Sequence, residues 1–330
     1  MNPVRARPFT HSARTRLQPV DGWPKLPAHI TLDRVVGVAL DSVGRVYVAH
    51  RGHHPLLCFD ANGRFLREIG SAHHRESIAY DLRGPTPVPI ATRIWLHGLH
   101  VDPWDNVWIT DVSRHLVMKF DPAGELVLTL GTDGVAGCDD RHFFQPTHVC
   151  VLPSGEFFVT DGYGNSRIVK FSANGKRLFE WGQRGTLPGE FHTPHVITRG
   201  DDGLLYMTDR ENDRIQIFDA NGKLQAVWPD LHSVDGLYCA ADGSIYGSAG
   251  IDNAILCFDR SGQLLDAWVH PGLFNYPHAV AVDRSGAIYV AETGDQWLVT
   301  GRLPAEREML ARSGPERSAV RKLVRAARNS

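Results

Sequence analysis

Three of the 17 histidines, His97, His195 and His278, each open a short apolar run, in HGLHV, HVIT and HAVAV. Equivalent runs elsewhere in the chain place one position in register at Val36, His97, Thr147, His195, Asp235 and His278. Histidine therefore occupies the second, fourth and sixth of six repeats. A lone histidine is more often a hydrogen-bonded core group than a ligand, but three at one repeat phase can converge on a common axis. Three neutral imidazoles with one position left open are the ligand set of a catalytic zinc, whereas structural zinc sites are four-liganded and closed. His50, His53, His54, His73, His74, His115, His142, His148 and His192 fall outside this register and read as surface or supporting groups.

The elements that must position these residues repeat along the chain. Each unit has an apolar strand, a D-x-x-G-type turn, a second strand ending in a polar pair, and two further strands joined by a hairpin such as F-D-A-N-G or F-D-R-S-G. PTHVCVLPSGEFFVTDGYGNSRIVKFSANGKRLFEWG is one complete unit. Four short antiparallel strands per unit, six times over, predict an all-β six-bladed propeller whose first strands line a central channel. The expected layout is a disordered basic arm over 1–16, a catalytic propeller over 17–302 and a helical basic tail over 303–330. The sixth unit decays after PHAVAVDRSGAIYVAET, and the segment around Leu17 to Trp23 is expected to close the ring as its missing fourth strand. Ser71 to Ile94 reads as a Pro-rich insertion without a strand pattern, long enough to cover the channel mouth. The tail, AEREMLARSGPERSAVRKLVRAARNS, reads as solvated helix rather than as a docking site for a protein partner.

Composition narrows the function classes. The 42% apolar and 22% charged fractions are those of an ordinary globular chain, and a formal net charge of −2 points to neither nucleic acid nor a membrane surface. No apolar run approaches the roughly 20 residues of a spanning helix. Arg5, Arg7, Arg14 and Arg16 begin the chain without an acid and without the apolar core of a secretory signal. A mitochondrial presequence is the alternative to a plain disordered arm there. Cys58, Cys138, Cys150, Cys239 and Cys257 form no C-x-x-C pair and read as buried thiols in a reducing compartment, so the expected location is cytoplasmic.

Second strands run antiparallel to first strands, so their ends lie at the same channel mouth as the histidines. Arg51 and Arg210 share one repeat position there, where other units carry Val112, Gly250 and Thr293; Tyr163 ends the second strand of the third unit. Guanidinium forks match a carboxylate, and a phenol beside zinc and cations can exchange a proton. These residues predict a small anionic substrate. No dinucleotide loop, Ser-His-Asp set or EF-hand is present in the sequence.

HGLHVDPWDNVWITDV, DDRHFFQPTHV, TDGYGNSRIVKFSANG, FHTPHVI, TDRENDRIQIF and NYPHAVAVDRSGAIYV, spread over Gly22 to Glu292, resemble the peptidyl-α-hydroxyglycine α-amidating lyases. The resemblance implies zinc at His97, His195 and His278, a catalytic tyrosine at Tyr163 and active-site arginines at Arg51 and Arg210. It implies cleavage of a carbinolamide into an amide and glyoxylate. It also implies calcium on the backbone carbonyls of Val38 and Leu99 plus an Asp after the third histidine, but that position is Ala279. Tyr276 stands where the peptide lyases carry a Met near the substrate. Gly164 with Phe144, and Tyr206 with Ile217, replace the family's disulfide cysteines. These departures suggest a disulfide-free relative with a different amine portion in its substrate. The competing readings are a metalloenzyme for another ureido, carbinolamide or lactone substrate, and a non-catalytic NHL-type binding propeller.

Overall fold

The computed structural model describes residues 7–81, 86–270, 272–294 and 319–327. They form six four-stranded antiparallel sheets arranged as the blades of a propeller. The innermost strands are Val35–Leu40, Leu96–Val101, His148–Val151, Pro194–Arg199, Val234–Cys239 and Pro277–Val282. Each contacts the innermost strands of both neighbours, and the last contacts the first, so the ring is closed.

The repeated turn explains why the pattern is so regular. After Phe120, Asp121 Oδ1 accepts the amides of Ala123, Gly124 and Glu125 at 2.9 Å, and Gly124 takes a φ of 97° that side chains disfavour. Asp60, Asp219, Asp259 and Asp283 accept following amides in the same way. Apolar side chains from both faces of each sheet then fill the seams between blades. Tyr47 and Leu56 of the first blade pack with Ile109 and Met118 of the second, and Ile215 and Trp228 of the fourth with Leu256 and Phe258 of the fifth. This burial on both faces leaves middle strands such as Phe157–Asp161 and Ala254–Phe258 buried at every position, whereas an outermost strand such as Leu126–Leu130 alternates.

Four expectations need correction. The tail is not helical where it is described: Ala319–Ala327 is a strand pairing with Ile288–Glu292 on one side and Thr15–Pro19 on the other. The order of the sixth sheet outward from the axis is therefore Pro277–Val282, Ile288–Glu292, Ala319–Ala327, Thr15–Pro19, and a boundary at 302 would cut through this blade. Local helix preference yields because Ile288–Glu292 needs a partner for its main chain and both neighbouring blades need apolar cover. Val320 joins the seam with the first blade and Leu323 the seam with the fifth. Arg321 Nε meets Glu292 at 2.9 Å, matching Arg167 to Asp161 at 3.0 Å and Arg214 to Asp209 at 2.8 Å in complete blades. The remaining tail, 303–318 and 328–330, lies outside the described residues.

The basic arm is the second correction. Residues 1–6 are outside the described set, but Phe9 N donates to Asp252 and Arg14 N to Asp266, Ala13 is fully buried, and Thr15 begins a strand. Third, the insertion between blades one and two contains a hairpin, Ser77–Asp81 with Val88–Arg93. It reaches the third blade where Gln145 Nε2 donates to Tyr80 O at 3.1 Å. Fourth, all five cysteines are free but only Cys58, Cys150 and Cys257 are buried; Cys239 is half-buried, and Cys138 is exposed in the loop before the third blade. Among the described residues no helix is long and apolar enough to cross a membrane.

The strand assignment of the tail is directly testable. Leu323→Ala should destabilise the protein by about 2–5 kcal/mol, the usual result of emptying a buried leucine site. The exposed neighbour change Val324→Ala should cost no more than about 0.5 kcal/mol. Urea unfolding of both variants checks this, and equal midpoints would contradict the strand.

Candidate active site

His97, His195 and His278 meet on the propeller axis. Their ring centroids are 4.7, 4.9 and 5.2 Å apart, each pair nearly edge-to-face, and one nitrogen from each lies within 4.8 Å of the others. The opposite nitrogen of each ring is anchored. His97 Nδ1 donates to Thr147 O at 2.8 Å, His195 Nδ1 to Asp235 O at 2.8 Å, and His278 Nδ1 to Val36 O at 2.7 Å. The acceptors are the three remaining members of the six-fold register. Each carbonyl requires a proton on Nδ1, which leaves Nε2 as a bare lone pair aimed at the axis.

Burial, reinforced by Arg51, Arg210 and the neighbouring rings, holds the pKa values of His97 and His195 well below the usual imidazole value. His278 is pushed down to about 3, again chiefly by burial. Neutral, preoriented imidazoles with converging lone pairs fit a zinc ion, and these three residues would hold it.

Tyr163, Arg210 and Arg51 surround this cluster. Tyr163 Oη lies 2.9 Å from His97 Nε2 and 3.0 Å from His195 Nε2. It is the residue after Gly162, where a Cβ would sit 2.0 Å from Pro194 O, so no side chain fits one position earlier. Arg210 Nη1 is 3.1 Å from His195 Nε2 and 3.5 Å from Tyr163 Oη, with the guanidinium 5.4 Å from the phenol ring centre. Burial opposes the Arg210 charge, but Tyr163, Glu211 and Asp235 outweigh it and raise its pKa. Arg51 is buried at the first blade, stacked 4.6 Å over Trp95 with Nε donating to Leu96 O at 3.3 Å. Arg51 and Arg210 thus bring two guanidiniums to the mouth beside the neutral imidazoles, with Glu211 and Asp235 behind Arg210.

Known proteins sort this architecture. The NHL repeat model matches residues 143–171 and 274–299. Peptidyl-glycine alpha-amidating monooxygenase A of Xenopus laevis is 34% identical over 82% of this chain but only 31% of its own length. Peptidyl-alpha-hydroxyglycine alpha-amidating lyase 2 of Drosophila melanogaster is 32% identical over 83% of this chain and 72% of its own length. The chain belongs to the amidating-lyase family of NHL-repeat propellers. It spans about a third of the length of the monooxygenases it matches. NHL repeat-containing protein 3 of Mus musculus is 33% identical over 83% of this chain and 80% of that protein. A streptogramin B lyase structure shares the fold, with a TM-score of 0.57 at 20% identity over 84% of this chain and 80% of the other.

Where this member departs from the lyase pattern, the geometry is informative. Gly164 N donates to Phe144 O at 2.9 Å, and the Phe144 ring covers Gly164 so closely that a Cβ would lie 2.2 Å away. Tyr206 and Ile217 face one another across adjacent strands. Both places suit a cross-link, and both are filled here by aromatic packing. Val38, Leu99 and Ala279 line an axial cavity of about 950 Å³ that runs from the histidines toward the opposite mouth. Calcium does not fit well there. Position 279 offers no carboxylate, and carboxylates supply most of the charge that holds such a hard cation.

Sequence register missed His148 and Asp235 as site components. His148, one residue past the register position, turns into the lower channel, with Nδ1 3.1 Å from Ile197 O. Asp235 lacks a ligand nitrogen, yet its carbonyl fixes His195 and its Oδ1 stands 3.6 Å from Arg210 Nη1. Its place in the register was the only available signal. Tyr276 is buried and fills the space above Gly250, where a Cβ would lie 2.4 Å from its ring.

The channel imidazoles make acid stability predictable. Besides the axial three, burial lowers His148 to about 3 and His100 to about 4, against an unfolded value near 6.5. As pH falls below about 6.5 the unfolded chain takes up protons that the folded chain refuses, so stability is lost toward the folded pKa values. Burial raises Asp111 to about 6 and Glu292 to about 7, which acts in the opposite sense, but the histidines outnumber them. The melting temperature of chelator-treated protein should therefore be lower at about pH 5 than at about pH 7. An equal or higher value at the lower pH would contradict this.

Proposed function

We propose that the protein is a zinc-dependent carbon–nitrogen lyase that splits an α-hydroxyglycine-type carbinolamide, N–CH(OH)–COO⁻, into an amide and glyoxylate. The observation carrying this reading is the convergence of three carbonyl-anchored Nε2 atoms beside the Tyr163 oxygen, with Arg210 against both.

When bound, zinc supplies a Lewis acid that polarises the substrate's oxygen. With its own proton given up, Tyr163 Oη would stand where it can receive the hydroxyl proton and pass it on to the departing nitrogen. The electron pair of that O–H bond forms the aldehyde carbonyl as the C–N bond breaks, and the nitrogen regains a proton to leave as the amide. Arg210 balances negative charge at the phenol oxygen, while Glu211 at 3.0 Å and Asp235 behind it fix its orientation. Arg51, held flat on Trp95, offers the second guanidinium for the carboxylate. The buried Tyr276 in place of the family's Met favours a substrate whose amine portion is not that of the peptide lyases.

The decisive experiment supplies a carboxylate-bearing α-hydroxyglycine amide to zinc-loaded protein and measures glyoxylate. Stoichiometric amide and glyoxylate are expected; binding without turnover would instead support an NHL-type binding propeller.

The tyrosine's role has its own test. Tyr163→Phe retains the ring and should lower kcat by about 10²–10⁴-fold without loss of zinc. Wild-type turnover by this variant would exclude Tyr163 as the proton acceptor.

A further inference from the structure

We propose that His29, His54 and Glu68 form a second metal site, for a divalent transition ion, on the outer edge of the first blade. The inference is independent of the axial site and of the lyase reading. His54 Nδ1 lies 2.8 Å from Glu68 Oε1, and the His29 ring stands edge-on to His54 at 5.4 Å and 80°. One donor atom from each of the three residues lies within 4.8 Å of the others.

The ligands come from three separate pieces of chain. His29 belongs to the segment leading into the first blade, which is tied to that blade where Lys25 N donates to Gly63 O at 2.8 Å. His54 is in the loop after the second strand, the same loop that carries Arg51. Glu68 ends the outermost strand, opposite Leu57. Its second oxygen accepts from Ser71 Oγ at 2.8 Å, which orients the carboxylate and leaves Oε1 facing His54.

The donor set selects the ion class. Two imidazoles and one carboxylate suit Zn²⁺, Ni²⁺, Co²⁺ or Fe²⁺, whereas Ca²⁺ and Mg²⁺ prefer oxygen alone. His29 is exposed, so water can complete the coordination. A half-exposed His54–Glu68 pair contributes little by itself. An ion joining all three segments would pin the entering chain and the Arg51 loop to the blade.

The test counts zinc in full-length protein that has been stripped with EDTA, reloaded and desalted. Wild type should retain about two ions per chain, His54→Ala and Glu68→Gln about one each, and His54→Ala/His195→Ala about none. Added Zn²⁺ should raise the melting temperature of the His195→Ala protein and leave that of the double variant unchanged. The proposal is overturned if His54→Ala and Glu68→Gln hold as much zinc as wild type, or if Zn²⁺ does not stabilise His195→Ala. Failure of the axial site has a different signature: about one ion in wild type, lost in His54→Ala and kept in His195→Ala.

Discussion

Each axial imidazole donates through Nδ1 to a main-chain carbonyl on the next blade, and those three bonds govern both the fold and the chemistry of this protein. They link the second blade to the third, the fourth to the fifth and the sixth to the first. Fixing Nδ1 as donor determines the tautomer, so all three Nε2 lone pairs point inward. Tyr163 Oη and Arg210 Nη1 stand at hydrogen-bond distance from these nitrogens. Closure of the ring therefore sets where these three nitrogens stand relative to one another.

The mouth residues gain their value from that cluster. Tyr163 reaches two of the imidazole nitrogens, and Arg210 is held against one of them by Glu211 and Asp235. Their packing leaves little conformational freedom: Gly162 is pressed on Pro194, Arg51 lies on Trp95, and Gly250 is covered by Tyr276. Preorientation of this kind lowers the cost of ordering charged side chains when an anion arrives. The wide cavity on the other side of the histidines mixes Arg199, Arg284 and Lys322 with Asp41, Asp102, Asp105 and Asp283, and its lining does not include Tyr163, Arg51 or Arg210.

Not every motif arginine has the same work. In D-G-Y-G-N-S-R and D-R-E-N-D-R, Arg167 and Arg214 pair with the aspartates that end second strands, and so belong to the blade itself. Arg210 alone of that group turns to the axis. Arg321 and Glu292 reproduce the blade pairing in the sixth sheet with a residue delivered from the far end of the chain. Within the described strand of the tail, Lys322 lies over Tyr289 at 5.2 Å and Arg325 over Trp268 at 5.0 Å.

The repeat made most of the architecture legible in the sequence, because each Asp–Gly turn and apolar run is encoded locally and recurs at one phase. The same phase picked out His97, His195 and His278, since equal repeat positions on alternate blades must face one axis. What local encoding could not specify was the partner of a broken repeat. Ala319–Ala327 carries a helix-like composition and becomes a strand only because an unpaired sheet edge and two apolar seams await it. The hairpin at Ser77–Asp81, the descent of His148 into the channel and the backing of Arg210 by Asp235 are decided in the same way. They depend on contacts between segments far apart in sequence, and those contacts exist only once the ring has closed.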